Sequence, residues 1–294
     1  MFYILSLFCG LLIAVQVVLN GLLSQEHGLF FGVVIIHVLA LLLISAIILI
    51  KRERPFSNRQ SWYLYLGGAI GVMTIFFSNA AFAHIGVSAI LALGLLGQSL
   101  AGLFIDQYGW LGMPKQKFKK QRTIGLLLVL GGIAVMLDSF EALAVILAFL
   151  AGVIVIIART LNAKLAELTT IGISAFFNFL ISLFVAVVAL FLFGRNEVFL
   201  FQMVISTEFY IYFGGFVGIG IILITNIIVR KIPGFYLSLL LFIGQVFTGI
   251  LLDALIDRTF TPNILLGGSL VAAGLCIDLL LVKKLPSHSQ EDTI

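Results

Sequence analysis

Gly67-Gly68-Ala69-Ile70-Gly71 recurs as Gly214-Gly215-Phe216-Val217-Gly218, 147 residues further along the chain. The same offset relates five further pairs of positions: Asn79 to Asn226, Gly97-Gln98 to Gly244-Gln245, Gly102 to Gly249, and Asp106 to Asp253. Chance does not keep glycines, amides and a carboxylate in one register over about forty residues. The chain therefore contains two copies of one unit.

The chain is apolar over almost its whole length. Hydrophobic residues make up 62% of its 294 residues and charged residues only 10%, whereas soluble domains carry about 25% charged residues. Polar breaks leave ten apolar runs, most of them close to the roughly 20 residues that a helix needs to cross a membrane. Barrel strands would be about half as long and would alternate in polarity. We therefore predict an all-α polytopic membrane protein with ten transmembrane helices. They lie near residues 3–23, 29–50, 62–83, 86–106, 123–138, 141–160, 170–193, 208–229, 234–253 and 264–282.

Basic residues predict the orientation of these spans. Fifteen of the seventeen Lys and Arg, including Arg159 and Lys164 around the end of the sixth span, fall on the same side as the N-terminus. Only Arg195 and Arg258 fall on the opposite side. Because cytoplasmic loops carry an excess of Lys and Arg, we expect a multi-pass protein of the cell membrane with both termini in the cytoplasm.

Five spans per copy is an odd number, so the second copy enters the membrane upside down relative to the first. We predict a first five-helix repeat over residues 1–138 and an inverted one over 139–294, which ends in a short cytoplasmic tail. In the first helices of the two copies the offset is 142, where Gly10 and Asn20 match Gly152 and Asn162. Inverted repeats of this kind are typical of secondary transporters.

Three groups of residues resemble one family. They are Gly10 with Gln16 and Asn20, the Gly67-Gly68-x-x-Gly71 helix, and Gly97-Gln98-Ser99-Leu100 with Ile105-Asp106 before Tyr108-Gly109. Together they resemble the YdcZ-type branch of the drug/metabolite transporter (DMT) superfamily, over residues 5–138 and more weakly over the second copy. The resemblance implies a transporter built from paired five-helix units, here fused in one chain. Ala158 takes the place of Gln16 in the second copy, so we do not expect a fully symmetric site.

Polar side chains inside the spans are the candidate site, because a polar group in lipid must find a partner or line a cavity. Gln98 and Gln245 lie near mid-membrane, at the same depth in the two copies. They are either hydrogen-bonding groups between helices or the lining of a central cavity, and we expect them to face each other across such a cavity. The further substrate-binding candidates are Gln16, Asn20, His37 and its approximate counterpart Asn178.

His37 is the only ionisable side chain well inside the spans of the first copy. It is either a substrate or proton contact or a packing residue, and imidazole can change its charge near neutral pH. A short turn joins the first two spans, so equal rises along both helices bring His37 to the depth of Gln16. We therefore expect Gln16 or Asn20 close to His37.

The remaining chemistry-bearing residues form no catalytic set. Asp106 and Asp253 lie at opposite faces, roughly 30 Å apart, so we expect each to cap a following segment or to pair with a base such as Lys115 or Arg258. The histidines are scattered, and Cys9 and Cys276 both lie in apolar spans. We therefore expect no catalytic residue, no metal and no cofactor.

Duplication and mid-membrane polar residues predict a secondary transporter, an exporter or exchanger of a small metabolite or drug-like solute by alternating access. The alternatives are a passive channel or a lipid scramblase, which share the polar interior, and an intramembrane lipid enzyme, which would need an activated nucleophile or clustered carboxylates. The expected partners are the small-molecule substrate and membrane lipids. Nucleic acid is not expected, because basic residues flanking the spans account for the net charge of +4. A monomer and a dimer both remain open.

Overall fold

The structure, a computed structural model, describes residues 1–57, 59–108, 122–136, 141–200, 207–228, 234–256 and 262–283. These residues form helices and contain no strand. The helices are α1 (Phe2–His27), α2 (Leu29–Ile50), α3 (Leu66–Phe82), α4 (Val87–Tyr108), α5 (Arg122–Met136), α6 (Ala142–Leu168), α7 (Ile171–Phe193), the short α8 (Arg195–Leu200), α9 (Gly214–Ile228), α10 (Gly234–Ile256) and α11 (Pro262–Lys283).

The helices have the length and composition of membrane spans. Within the described part of the chain, α1, α2, α6, α7 and the stretch Trp62–Phe82 that contains α3 are long and apolar enough to cross a bilayer. Five further apolar segments, in α4, α5, α9, α10 and α11, are shorter. An all-helical membrane protein is thereby confirmed, and the number of ten spans stays a prediction.

Helices α1 and α2 are joined by Gly28 alone. Its φ of 92° lies in the left-handed region that favours glycine. A Cβ atom at Gly28 would also stand 2.4 Å from the carboxylate carbon of Glu197. The link is therefore short and demands glycine, and it makes α1 and α2 antiparallel neighbours.

Helix contacts between the two halves occur in matched pairs. Helix α1 packs on α9 and α10, and its counterpart α6 packs on α3 and α4. Helices α2 and α7, α4 and α10, and α5 and α11 pack on each other. The largest apolar cluster lies between α4, α5, α6, α10 and α11, with Leu93, Ile133, Ala148 and Phe242 among its buried members. The main contacts between the halves therefore have equivalents in which the halves exchange roles.

Glycines bring the backbones of α1 and α10 into contact. A Cβ atom on Gly10 would strike the carbonyl oxygen of Leu241, and one on Gly244 would strike the carbonyl oxygen of Leu7. Small residues permit such close approach between membrane helices, where packing replaces the hydrophobic effect as the source of association.

The crossing of α4 and α6 has the same construction. A Cβ atom on Gly97 would strike the carbonyl oxygen of Phe149, and one on Gly152 would strike that of Gly94. Gly97 and Gly152 are the repeat counterparts of Gly244 and Gly10, so both crossings of this type depend on the same pair of sequence positions.

The glycine pair at the start of α3 seats this helix against α6 and α7. A Cβ atom on Gly67 would strike the side-chain oxygen of Asn162, and one on Gly68 would lie 2.5 Å from the carbonyl oxygen of Asn178. The equivalent Gly214 and Gly215 in α9 have no more room. These two glycines abut the side-chain oxygen of Asn20 and the carbonyl oxygen of Ile36.

The same contacts correct one detail of the repeat alignment. Asn178 corresponds to Ile36 at the offset of 142, so the counterpart of His37 is Phe179. The sequence alone misplaced this pair by one residue. Inside the apolar second helices, no glycine or polar residue recurs in both copies to fix the alignment.

We expect Gly97→Ala to destabilise the protein and Gly102→Ala, five residues further along the same helix, to leave it intact. A methyl group at Gly97 strikes backbone, and overpacking of this kind costs about 1–3 kcal/mol. The Cβ position of Gly102 meets nothing within 4 Å. Thermal unfolding of the purified variants, followed by tryptophan fluorescence, measures the difference. Equal midpoints for the two variants would contradict the crossing.

Candidate functional site

The interior of the bundle contains a cation. Arg159 lies on α6, and its Nη1 donates a hydrogen bond of 3.0 Å to Oε1 of Gln98 on α4. Arg159 is partly buried and keeps some accessible surface. Gln98 lies eleven residues into α4, about 16 Å from the start of that helix.

Arg159 lies further from the end of its helix than the predicted span 141–160 implies. Helix α6 continues to Leu168, which is about 13 Å beyond Arg159 along the helix axis. The last turns of α6 resemble a loop in sequence because they contain the polar residues Asn162, Lys164 and Glu167. Lys164 and Glu167 form an ion pair of 3.2 Å there. Without Arg159, fourteen basic residues remain on the predicted cytoplasmic side against two.

Helix α1 contributes a thiol near the Arg159–Gln98 pair. The thiol of Cys9 on α1 is close enough to interact electrostatically with Arg159, and Cys9 belongs to a buried cluster with Ile221, Ile228 and Leu241. Among the described side chains, no carboxylate lies within ion-pair distance of Arg159. The positive charge is therefore held by an amide.

Two of the predicted site residues, Gln16 and Asn20, meet at the start of α9. Nε2 of Gln16 donates to the carbonyl oxygen of Gly214 at 3.4 Å. The side-chain oxygen of Asn20 abuts Gly214 but has no hydrogen-bond partner, although Asn20 is only 4% exposed. A buried amide oxygen without a partner is costly in a protein interior.

The equivalent place in the other half contains Asn178. Its Oδ1 accepts a hydrogen bond of 2.8 Å from Nδ2 of Asn162 on α6, and the backbone oxygen of Asn162 accepts one of 2.7 Å from the Ser174 hydroxyl. Asn162 is not among the predicted site residues, although its match to Asn20 at the offset of 142 was a sufficient signal.

His37 and Gln245 are both buried. The His37 ring bonds through Nδ1 to the carbonyl oxygen of Val33 at 2.8 Å and lies 6.2 Å, between ring centroids, from its counterpart Phe179. Gln245 is 3% exposed on α10, next to the crossing with α1. The contact of His37 with Gln16 or Asn20, and a cavity shared by Gln98 and Gln245, stay predictions.

Asp253 caps a helix, as expected, but the helix belongs to the other half. Its carboxylate accepts hydrogen bonds from the backbone nitrogens of Val87 and Ser88, at 2.6 and 2.9 Å, and from the Ser88 hydroxyl. These groups start α4, so the cap does not serve a segment that follows Asp253. A carboxylate at a helix N-terminus is favoured by the unpaired N–H groups and the helix dipole. The side chain of Asp106 lies outside the described residues.

Two further carboxylates reach across between the halves. Oε2 of Glu197 accepts from the backbone nitrogens of Phe30 and Phe31 at 2.9 and 2.8 Å, at the start of α2. At the opposite end of the bundle, Glu53 accepts from the hydroxyl of Thr170, the N-cap residue of α7. Each end of the bundle is therefore tied together by carboxylates of one half at helix starts of the other.

Apolar helices of spanning length around polar interior groups are typical of a multi-pass membrane protein, and the described residues contain no cluster of metal-ligating side chains. The chain matches the family model DMT_YdcZ, described as "Putative inner membrane exporter, YdcZ", over residues 1–135 and again over 143–277. It belongs to this family, which is one of exporters and not of enzymes. The resemblance noted in the sequence is thereby confirmed, in the fused form with two repeats.

A solved structure titled "Crystal structure of protein" has the same fold. The two chains superpose with a TM-score of 0.68 over 98% of each, at 15% sequence identity. No curated protein gives a significant match.

We expect Asp253→Ala to lower the thermal stability of the protein, because it leaves the first donors of α4 without their charged acceptor. Hydrogen bonds to charged groups contribute about 1.5–3 kcal/mol each. Ser88→Ala is the matched control, since it removes one donor and keeps both backbone bonds to the carboxylate. Its unfolding midpoint should lie clearly nearer to that of the wild type. A larger loss for Ser88→Ala than for Asp253→Ala would rule out the cap.

Proposed function

We propose that this protein is a secondary transporter, an exporter or exchanger, that moves a small metabolite or drug-like solute across the cell membrane by alternating access. The observation that carries the proposal is the Arg159–Gln98 pair, a polar group deep inside a bundle of the exporter family. Ionisable groups in such positions are kept where a substrate or an ion passes.

The architecture of the proposed transporter is a pair of inverted repeats. Ten spans with five in each repeat turn the second repeat upside down, and both termini are cytoplasmic. The matched helix contacts and the two family matches support this arrangement. Inverted repeats allow each half to adopt the shape that the other has just left, which exposes a central site to one side at a time.

The carboxylate caps are the contacts that must change in such a cycle. Asp253 and Glu197 join the halves at the end where α1 turns into α2, and Glu53 joins them at the other end. Opening one end requires the helix starts at that end to leave their carboxylates. The bonds are few and lie at the ends of the bundle, so they can break without disturbing the glycine crossings.

The proposed path lies between the halves. Gln98 binds the solute together with Arg159, and Gln16, Asn20, His37, Asn178 and Gln245 line the same path. The unpaired oxygen of Asn20 is a free acceptor in this set. The chain contains no nucleotide-binding motif, so a gradient or an exchanged solute supplies the energy.

Counterflow in proteoliposomes tests this function. The purified full chain is reconstituted, and uptake of labelled metabolites from a broad panel is measured with and without unlabelled solute on the opposite side. We expect saturable uptake that solute on the opposite side accelerates. Flux that neither saturates nor responds to solute on the opposite side would identify a passive channel. If neither the wild type nor Asp253→Ala moves any solute of the panel, transport is contradicted.

A further inference from the structure

We propose that Arg159 and Gln98 bind the charged group of a small organic anion with a single negative charge and an apolar body. This inference names the substrate class of the site in the proposed transporter, and it rests on that function only for the movement of the anion. Binding itself is a separate property that can be measured in the absence of transport.

The charge around Arg159 is not balanced by the protein. Its described partner is the neutral amide of Gln98, and no carboxylate of the described residues pairs with it. An unpaired cation in a membrane interior is expensive. An anion that enters the site supplies the negative charge that balances Arg159. Binding is therefore favoured by the electrostatic attraction that the unpaired cation lacks in the empty site.

The donors that remain are suited to a carboxylate. A guanidinium has five N–H donors in a planar fork, and the described residues accept a hydrogen bond from only Nη1. The amide nitrogen of Gln98 is a further donor next to it. Paired N–H groups of arginine bind the two oxygens of a carboxylate side by side, which a lysine cannot do.

The surroundings predict an apolar body and a single charge. Cys9, which interacts electrostatically with Arg159, packs in a buried apolar cluster with Ile221 and Leu241. Repeat symmetry provides no second cation, because the position equivalent to Arg159 in α1 is Val17. A dianion would bring one uncompensated charge into this environment.

Access distinguishes a binding site from a purely structural hydrogen bond. Arg159 is only partly buried and keeps accessible surface. Gly97, the residue before Gln98, is packed against the backbone of α6. A ligand therefore reaches the pair from the accessible side of Arg159.

Ligand-induced thermal stabilisation tests the proposal on the full chain in nanodiscs of phosphatidylcholine. The probes are acetate, hexanoate and benzoate, each compared with the amide and the amine of the same skeleton. We expect at least one carboxylate, with hexanoate or benzoate ahead of acetate, to raise the unfolding midpoint of the wild type. The matched amides and amines should have little effect.

The variants separate the site from general charge effects. Arg159→Gln should weaken carboxylate binding about tenfold or more, since it removes a charged hydrogen bond, and Arg159→Lys should lie between the two. Lys164→Gln is the matched control, because it removes a cation from the exposed end of the same helix, and it should bind like the wild type. If Arg159→Gln does not fold, the test rests on Arg159→Lys and on the comparison of each carboxylate with its matched amide and amine.

Three outcomes overturn the proposal: no carboxylate stabilises the wild type, amides or amines stabilise it equally, or the carboxylate effect is the same without Arg159. A fourth is loss of the carboxylate effect when phosphatidylglycerol is added, which would assign the site to a lipid headgroup. Arg159-dependent carboxylate binding without counterflow of that carboxylate would refute transport and leave the anion site standing. Counterflow of neutral solutes that Arg159→Gln leaves unchanged would refute the anion site and leave transport standing.

Discussion

Contact between helix backbones at the glycine crossings is the constraint on which the rest of this structure depends. Lipid provides no hydrophobic force to press helices together, so association depends on close packing and on hydrogen bonds. Gly10 and Gly244 make that packing between α1 and α10, and Gly97 and Gly152 make it between α6 and α4. Because these crossings pair a helix of one half with a helix of the other, they fix the two halves together.

The polar interior follows from the second crossing. The contact of Gly97 with Phe149 brings α4 against α6. The next residue on α4, Gln98, is thereby within reach of the Arg159 side chain on α6. The equivalent crossing brings Gln245 to α1, where Val17 occupies the position of Arg159. A symmetric scaffold therefore carries an asymmetric charge. The charge is held by an amide instead of a carboxylate, which leaves the site positive and favours a negative ligand.

The helical architecture and the duplication could be predicted from the sequence, whereas most helix partners could not, for physical reasons. The recurrence of Gly67-Gly68 as Gly214-Gly215 marked equivalent positions in two copies, and the structure places both pairs against the same positions of the first and second helices. Arg159 was missed because α6 ends in polar turns with Lys164 and Glu167, which resemble a loop. The partner of Asp253 was missed because it starts α4, more than 160 residues earlier. Hydropathy reports which residues lie in a span, but not which helix lies opposite.

A double-mutant cycle at Gln98 and Arg159 tests most directly whether a lone interior cation meets this amide. Gln98→Glu places a carboxylate beside the guanidinium, so in the wild-type background the account predicts an unfolding midpoint within a few degrees of the original. In the Arg159→Gln background the same substitution leaves a buried carboxylate without a cation, and it should cost about 3–5 kcal/mol. An equal loss of stability from Gln98→Glu in both backgrounds would contradict the account, because the two side chains would then not meet inside the bundle.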